Sequence, residues 1–125
     1  IVVVSADYNR STKNLINKDC FLKMKDESIL VNTARGGIVN ENDLYWALKN
    51  KKIHAAGTDV FETEPPDDNN PLFQLDNILM SPHNAALTLE CRKRMAIELA
   101  ENIIFYLESD NKLNKGNIVN LQKLD

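Results

Sequence analysis

The sequence is short of the features that staple, anchor or recruit. Cysteine occurs only at Cys20 and Cys91. Two isolated thiols without a signal-peptide pattern argue against a disulfide framework and for a reducing, cytoplasmic setting. Long apolar runs are also missing. The longest, Ile1 to Val4 and Ile103 to Leu107, fall far below the ~20 residues of a membrane-spanning helix, so a soluble chain with no membrane partner is expected. Basic charge is not in excess: Lys and Arg total 15 against 18 Asp and Glu, a formal charge of -3, and nothing pulls the chain towards nucleic acid. No internal repeat, low-complexity tract or metal site is expected. Nor is there an initiator Met before Ile1, and the chain reads as a segment that opens inside a domain.

What is present suffices for one core. With 43% hydrophobic residues in 125, the chain has the apolar content of a single small domain. Ile1 to Val4 reads as a buried strand followed by a polar loop, Ser5 to Asn14. A short helix follows, with Asp19 placed to cap it and Phe21, Leu22 and Met24 giving its apolar side. Ser28 to Thr33 is a second strand, stopped by Gly36-Gly37. Asn40 with Asp43 in the capping-box position opens the clearest short helix, which carries Leu44, Ala47 and Leu48 on one face and Lys49, Lys51 and Lys52 at its end. Ile53 to Val60 and Asn77 to Met80 read as further strands, separated by a polar loop from Glu62 to Asn70. Thr88 to Leu107 is strongly helical, with Met95, Leu99, Ile103 and Leu107 along one stripe. Ser109 to Asp125 is polar apart from Ile118-Val119.

Strands alternating with helices imply an α/β fold with a parallel sheet, because parallel neighbours need a crossover between them. In such sheets ligands sit beyond the carboxyl ends of the strands. Arg35, Asp59, Glu64 and His83 all fall there. A guanidinium can hold a carboxylate bidentately, an imidazole exchanges protons near neutral pH, and a carboxylate beside it orients the ring and favours its charged form. Together they suit proton transfer on a substrate that carries its own carboxylate. Each also has a bland reading, as a solvated loop charge, an exposed glutamate before two prolines, or a histidine filling a turn. His54 and the Lys49 to Lys52 cluster keep that bland reading.

The wording around these residues is more specific. Asn32-Thr33-Ala34-Arg35-Gly36-Gly37-Ile38-Val39-Asn40-Glu41, then Ala55-Ala56-Gly57-Thr58-Asp59-Val60-Phe61-Glu62-Thr63-Glu64-Pro65, then Ser81-Pro82-His83 resemble, in order, the signatures of the D-isomer-specific 2-hydroxyacid dehydrogenases. The resemblance runs from Ile1 to about Asn120. It implies a partial Rossmann-like, doubly wound parallel sheet lacking the first βαβ unit. Residues 1–108 would be the second half of the NAD-binding domain, and 109–125 a segment returning towards a substrate domain. The glycines, at 36, 37, 57 and 116, cannot form the GxGxxG turn that holds a pyrophosphate.

By the same resemblance, the cofactor is NAD, the partner molecule is a small 2-hydroxy or 2-keto acid, and the whole protein is a homodimer. Arg35 is the substrate-binding arginine, His83 the acid/base and Glu64 its partner. Thr33, Ala34 and Arg35 lie along the cofactor, with Asp59 and His83 near the nicotinamide. Asp7-Tyr8-Asn9 departs from the family's proline, Leu or Tyr, then Thr or Asn, and puts a negative charge near the adenosine side. Asn84-Ala85-Ala86 and Leu87 to Cys91 lean towards the phosphoglycerate dehydrogenase and hydroxypyruvate reductase branch. Two other functions stay open: a dinucleotide-sensing regulator on the same fold, like the family's corepressors, and an inactive truncated fragment.

Overall fold

The computed structural model describes residues 1–108, which fall into one unit from Ile1 to Ala85 and a second from Ala86 onward. The expected C-terminal segment, 109–125 with Ile118 and Val119, lies outside the described residues.

In the first unit, four short strands, β1 (Val2–Val4), β2 (Ile29–Asn32), β3 (Ala55–Thr58) and β4 (Ile78–Met80), form a parallel sheet in sequential order. Val4, Asn32, Thr58 and Met80 are in register across it, as are Val3, Val31, Gly57 and Leu79. Side chains alternate along a strand, so the register decides which face is core. Val4, Leu30 and Ala56 point to the face covered by α1 (Lys18–Lys23) and α2 (Glu41–Lys49), where Phe21, Ile38, Leu44, Ala47, Leu48 and Leu72 complete one cluster. On the other face Val3 is 61% and Leu79 80% exposed. Helices on one side of sequential parallel strands follow from the uniform hand of the crossovers, and among the described residues of this unit α1 and α2 cover a single face of the sheet. Each fully buried leucine or phenylalanine contributes roughly 1.5–3 kcal/mol, and Leu48, at 1% exposure, is the position where truncation to Ala would loosen α2 most.

The helix ends differ from expectation in instructive ways. Asn17, not Asp19, caps α1: its Oδ1 accepts from the Asp19 and Cys20 amides at 3.1 and 3.3 Å. Asp19 sits inside the first turn, where its charge suits the helix dipole. Leu22 faces outward, so Phe21 alone is buried on this helix. Asn40 does cap α2, accepting from the Asp43 amide at 3.0 Å. Asp43 does not complete a capping box, however; its Oδ2 accepts from the Lys18 amide at 2.9 Å and so ties the two helices together. At the other end Lys52 pairs with Asp26 at 2.8 Å, and Lys51 takes a left-handed backbone, φ 54°.

β3 is shorter than the apolar run suggested. Ile53 is fully buried ahead of it, and Val60 and Phe61 are buried after it, so the run marks core packing on both sides of a four-residue strand. His54 is exposed and donates only its backbone amide, to the Ser28 carbonyl. Two 3-10 turns are added, Gly36–Ile38 at the glycines read as the strand stop and Pro71–Gln74 directly after the expected polar loop, the second opened by Asn70 accepting from the Leu72 amide. In the second unit α3 (Leu89–Glu108) forms where the periodicity placed it, with the Thr88 hydroxyl accepting from the Cys91 amide at 3.1 Å.

Candidate active site

At the end of β2 the chain turns on a buried amide. Asn32 is 3% exposed; its Oδ1 accepts from the Ala34 amide at 3.1 Å and its Nδ2 donates to the Arg35 carbonyl at 3.0 Å. This neutral clamp wraps Thr33, Ala34 and Arg35 into a turn with Thr33 and Arg35 on the surface. Arg35 Nη1 donates back to the Ala34 carbonyl at 2.7 Å, one of the five donors of the guanidinium fork. Gly36 passes directly beneath the Phe61 carbonyl: a Cβ there would lie 1.9 Å from the oxygen, so no other residue fits. Val4, Ser5, Ala6, Asp7, Tyr8, Thr33, Ala34 and Arg35 line an open, polar cleft of about 600 Å³ at the carboxyl ends of β1 and β2.

Asp59, just past β3, is 3% exposed and both its oxygens are engaged. Oδ1 accepts from the Ser81 hydroxyl at 2.6 Å and the Asn84 amide at 2.9 Å, and Oδ2 from the Ala85 amide at 2.8 Å. Burial pushes its pKa up, but the Ser81 hydroxyl, the Ala85 and Asn84 amides and the His83 charge together outweigh that and hold it below the ordinary 3.8.

Glu64 is fixed at both oxygens as well, Oε1 accepting from the Phe61 amide at 3.0 Å and Oε2 lying 2.7 Å from His83 Nδ1. The hydrogen bond from His83 comes first in holding its carboxyl below the ordinary 4.5; the Phe61 amide and the charges of His83 and Arg35 add to it, against a smaller opposing effect of burial. A reciprocal clasp anchors the loop that carries it. The Glu62 carboxylate accepts from the Glu41 amide at 2.9 Å, the Glu41 carboxylate accepts from the Glu62 amide, and Asn70 donates to Glu41 at 3.0 Å. Phe61, Pro65, Pro66, Phe73, Met80 and Pro82 border an apolar hollow of about 340 Å³ beside the pair.

The four strand-end residues therefore differ in what they offer. His83 and Glu64 meet directly, with side chains 48% and 38% exposed. Arg35 acts on Glu64 through its charge rather than a hydrogen bond. Asp59 is not an open carboxylate but a buried one. The sequence reading gave no role to Asn32, Ser81 or the Glu41–Glu62 clasp, and took Gly36 only as part of the stop after the second strand. Only Asn32 leaves a local signal, an amide side chain ending an apolar strand two residues before the amide it caps.

Residues 1–85 match the family described as D-isomer specific 2-hydroxyacid dehydrogenase, NAD binding domain. The chain belongs to this family. Among curated relatives, a D-3-phosphoglycerate dehydrogenase of Archaeoglobus fulgidus is 42% identical over 125 residues, 100% of this chain and 23% of that protein. A hydroxypyruvate reductase of Thermotoga maritima is 48% identical over 95 residues, 74% of this chain and 31% of that protein. A solved D-isomer specific 2-hydroxyacid dehydrogenase from Polaromonas superposes with a TM-score of 0.81 at 32% identity, covering 86% of this chain and 33% of the other. The chain thus spans less than a third of the length of these two curated relatives. The fold is the family's Rossmann-like NAD-binding domain, in part. Among the described residues no helix is long and apolar enough to cross a membrane, and no group of three or more His, Cys, Asp or Glu stands ready for a metal.

A dinucleotide fits the described residues in part. The polar cleft lies at the carboxyl ends of β1 and β2, where sheets of this kind bind ligands, with Thr33 and Arg35 exposed along it. Among the described residues no glycine takes a positive φ, so a glycine cradle for the pyrophosphate is not among them.

Proposed function

We propose that these residues form the proton-handling and carboxylate-binding part of an NAD-dependent dehydrogenase that acts on the CH–OH group of D-2-hydroxy acids, or reduces the matching 2-keto acids. The observation that carries the reading is the 2.7 Å contact between His83 Nδ1 and a Glu64 carboxylate whose other oxygen is already held by the Phe61 amide. A fixed carboxylate on Nδ1 keeps a proton on that nitrogen and leaves Nε2 as the atom that trades protons with substrate. His83 protonates the carbonyl oxygen during reduction and takes the hydroxyl proton during oxidation.

Arg35 supplies the second handle. Four of its five N–H groups remain after the bond to Ala34, enough for a two-pronged grip on the substrate carboxylate. Thr33, Ala34 and Arg35 would line the cofactor, with Asp59 and His83 towards its nicotinamide. When bound, the nicotinamide supplies or takes up the hydride at C2; the protein positions and polarises. The reading extends to residues 1–108 as the second half of the dinucleotide domain, 109–125 as the return to a substrate domain, a homodimeric whole protein, and a cytoplasmic location supported by the two unpaired thiols.

The test is turnover. The whole protein is assayed with NADH against hydroxypyruvate, glyoxylate and other 2-keto acids; reduction that His83→Gln removes is the expected result. Dinucleotide binding with no turnover on any of them would favour a sensing role instead.

A further inference from the structure

We propose that Asp59 is the positioning residue for His83, fixing the backbone of its loop while Glu64 fixes its ring. The chain leaves β4 with one last sheet bond, the Ser81 amide to the Thr58 carbonyl at 3.0 Å. From there to Ala85 the loop is gathered onto a single carboxylate by Ser81 before His83 and by Asn84 and Ala85 after it. His83 itself has φ 53°, the left-handed region that a residue with a side chain occupies only where its surroundings hold it. Left-handed backbone at one residue aims the next amides to a common point, the concavity that binds an anion, and here that anion is the buried Asp59 side chain.

The bond pattern demands a carboxylate. Ionised, Asp59 offers about four acceptor directions, and three are filled. An asparagine at this position keeps one acceptor oxygen and turns an NH2 group towards an amide that needs an acceptor. One direction on Oδ2 is left, so contact with a nicotinamide carboxamide is limited to a single hydrogen bond. The two carboxylates thus divide the work. Asp59 fixes where the His83 backbone lies, and Glu64, 2.7 Å from Nδ1, fixes how the ring is turned.

The kinetic part of this inference rests on the proposed dehydrogenase activity; the structural part does not. Through-hydrogen-bond NMR couplings in the unaltered chain should link the Asn84 and Ala85 amide nitrogens to the Asp59 carboxylate carbon. In Asp59→Asn those two amides should exchange with solvent about tenfold faster or more while the β2 and β3 amides keep their protection, and the His83 ring-nitrogen shifts should move towards those of an unpaired imidazole. Absent couplings in the unaltered chain, or unchanged exchange in a folded Asp59→Asn variant, overturn the inference. If Asp59→Asn does not fold, the couplings alone decide. In the whole protein, Asp59→Asn should lower kcat about tenfold or more with KM for NADH held within about twofold. A raised KM for NADH at preserved kcat would confine Asp59 to the nicotinamide side and remove it as the positioning residue for His83. Should the unaltered whole protein show no turnover, the proposed activity fails, and the NMR result still settles the role of Asp59.

Discussion

The carboxyl ends of β2 and β3 lie side by side in one sheet, yet they are built on opposite electrostatic plans. Past β2, a neutral amide, Asn32, shapes the turn through backbone contacts and leaves the Arg35 side chain on the surface. Past β3, two carboxylates have all four of their oxygens engaged, and His83 is bracketed between them. The difference follows from the task proposed for each end. A clamp for a substrate carboxylate must keep its charge free until the anion arrives, and a buried carboxylate bound to it would compete. A proton-exchanging imidazole must instead be held in one orientation before substrate binds, because misplacement of the reacting group is costly. Preformed charge suits the second task and would spoil the first.

The sharpest way to break this comparison is to remove the proton carrier. His83→Gln should lower turnover in both directions by about 100- to 10,000-fold, the usual reach of positioned acid/base catalysis, as read by steady-state kinetics on the whole protein. In the unaltered enzyme, reduction needs the charged imidazole and oxidation the neutral one. Keto-acid reduction should therefore fall as pH rises while hydroxy-acid oxidation climbs over the same interval. Parallel rather than mirrored profiles would remove His83 from the chemistry.

Arg35→Lys probes the other strand end. It preserves the charge and loses the fork, so KM for the keto acid should rise and kcat fall together, by about tenfold each. An unchanged KM would mean that the substrate carboxylate is held elsewhere and that the exposed arginine is only a solvated loop charge.

What could be read in the sequence divides along the same line. Continuous apolar residues marked the strands but not that one face of the sheet stays open at Val3 and Leu79, and Arg35, Glu64 and His83 do lie after the strands they were read to follow. Local chemistry was partly legible, since Asn40 caps α2 as its spacing suggested; the α1 cap went astray because Asp19 sits where a cap would, two residues beyond the true one. The bonds that organise the site were not legible. Asp59 meets residues 22 to 26 positions ahead, and Glu41 meets Glu62 21 positions away. No periodicity or turn signature encodes a contact that exists only once two strands are paired. Hence Asp59 read as a candidate carboxylate near the nicotinamide, with no sign in the sequence that folding buries it.

Asn32→Ala should sharpen the contrast through stability rather than charge. It strips the partner from the Ala34 amide and one of two donors from the Arg35 carbonyl, which keeps the Ile38 amide at 3.4 Å, and leaving one such group unpaired costs about 1–2 kcal/mol. Denaturant melts of this variant should lose that amount, with the loss independent of pH because no ionisable group is removed. A loss that grows or shrinks with pH would mean that the turn past β2 leans on charge after all.

The smallest effect expected is in the acid limb of the other strand end. Glu64 is held below its ordinary 4.5 chiefly by the hydrogen bond from His83, so the folded state binds its proton less readily than the unfolded chain. The stability this contributes is present above 4.5 and is lost as pH falls through the lower, folded value. With the Glu64 side chain 38% exposed, solvent screens the interaction and the contribution should stay below about 1 kcal/mol. Asp59 loses its contribution in a neighbouring window, below its own ordinary 3.8, so a melt alone would blend the two. Following the Glu64 side-chain carbon by NMR separates them. His83→Gln should move that titration back up towards 4.5 while leaving Asp59 on the low side, because the Ser81 hydroxyl and the Asn84 and Ala85 amides remain. If Glu64 titrates identically with and without His83, the pair at 2.7 Å is not held by charge, and the two strand ends are more alike than their geometry implies.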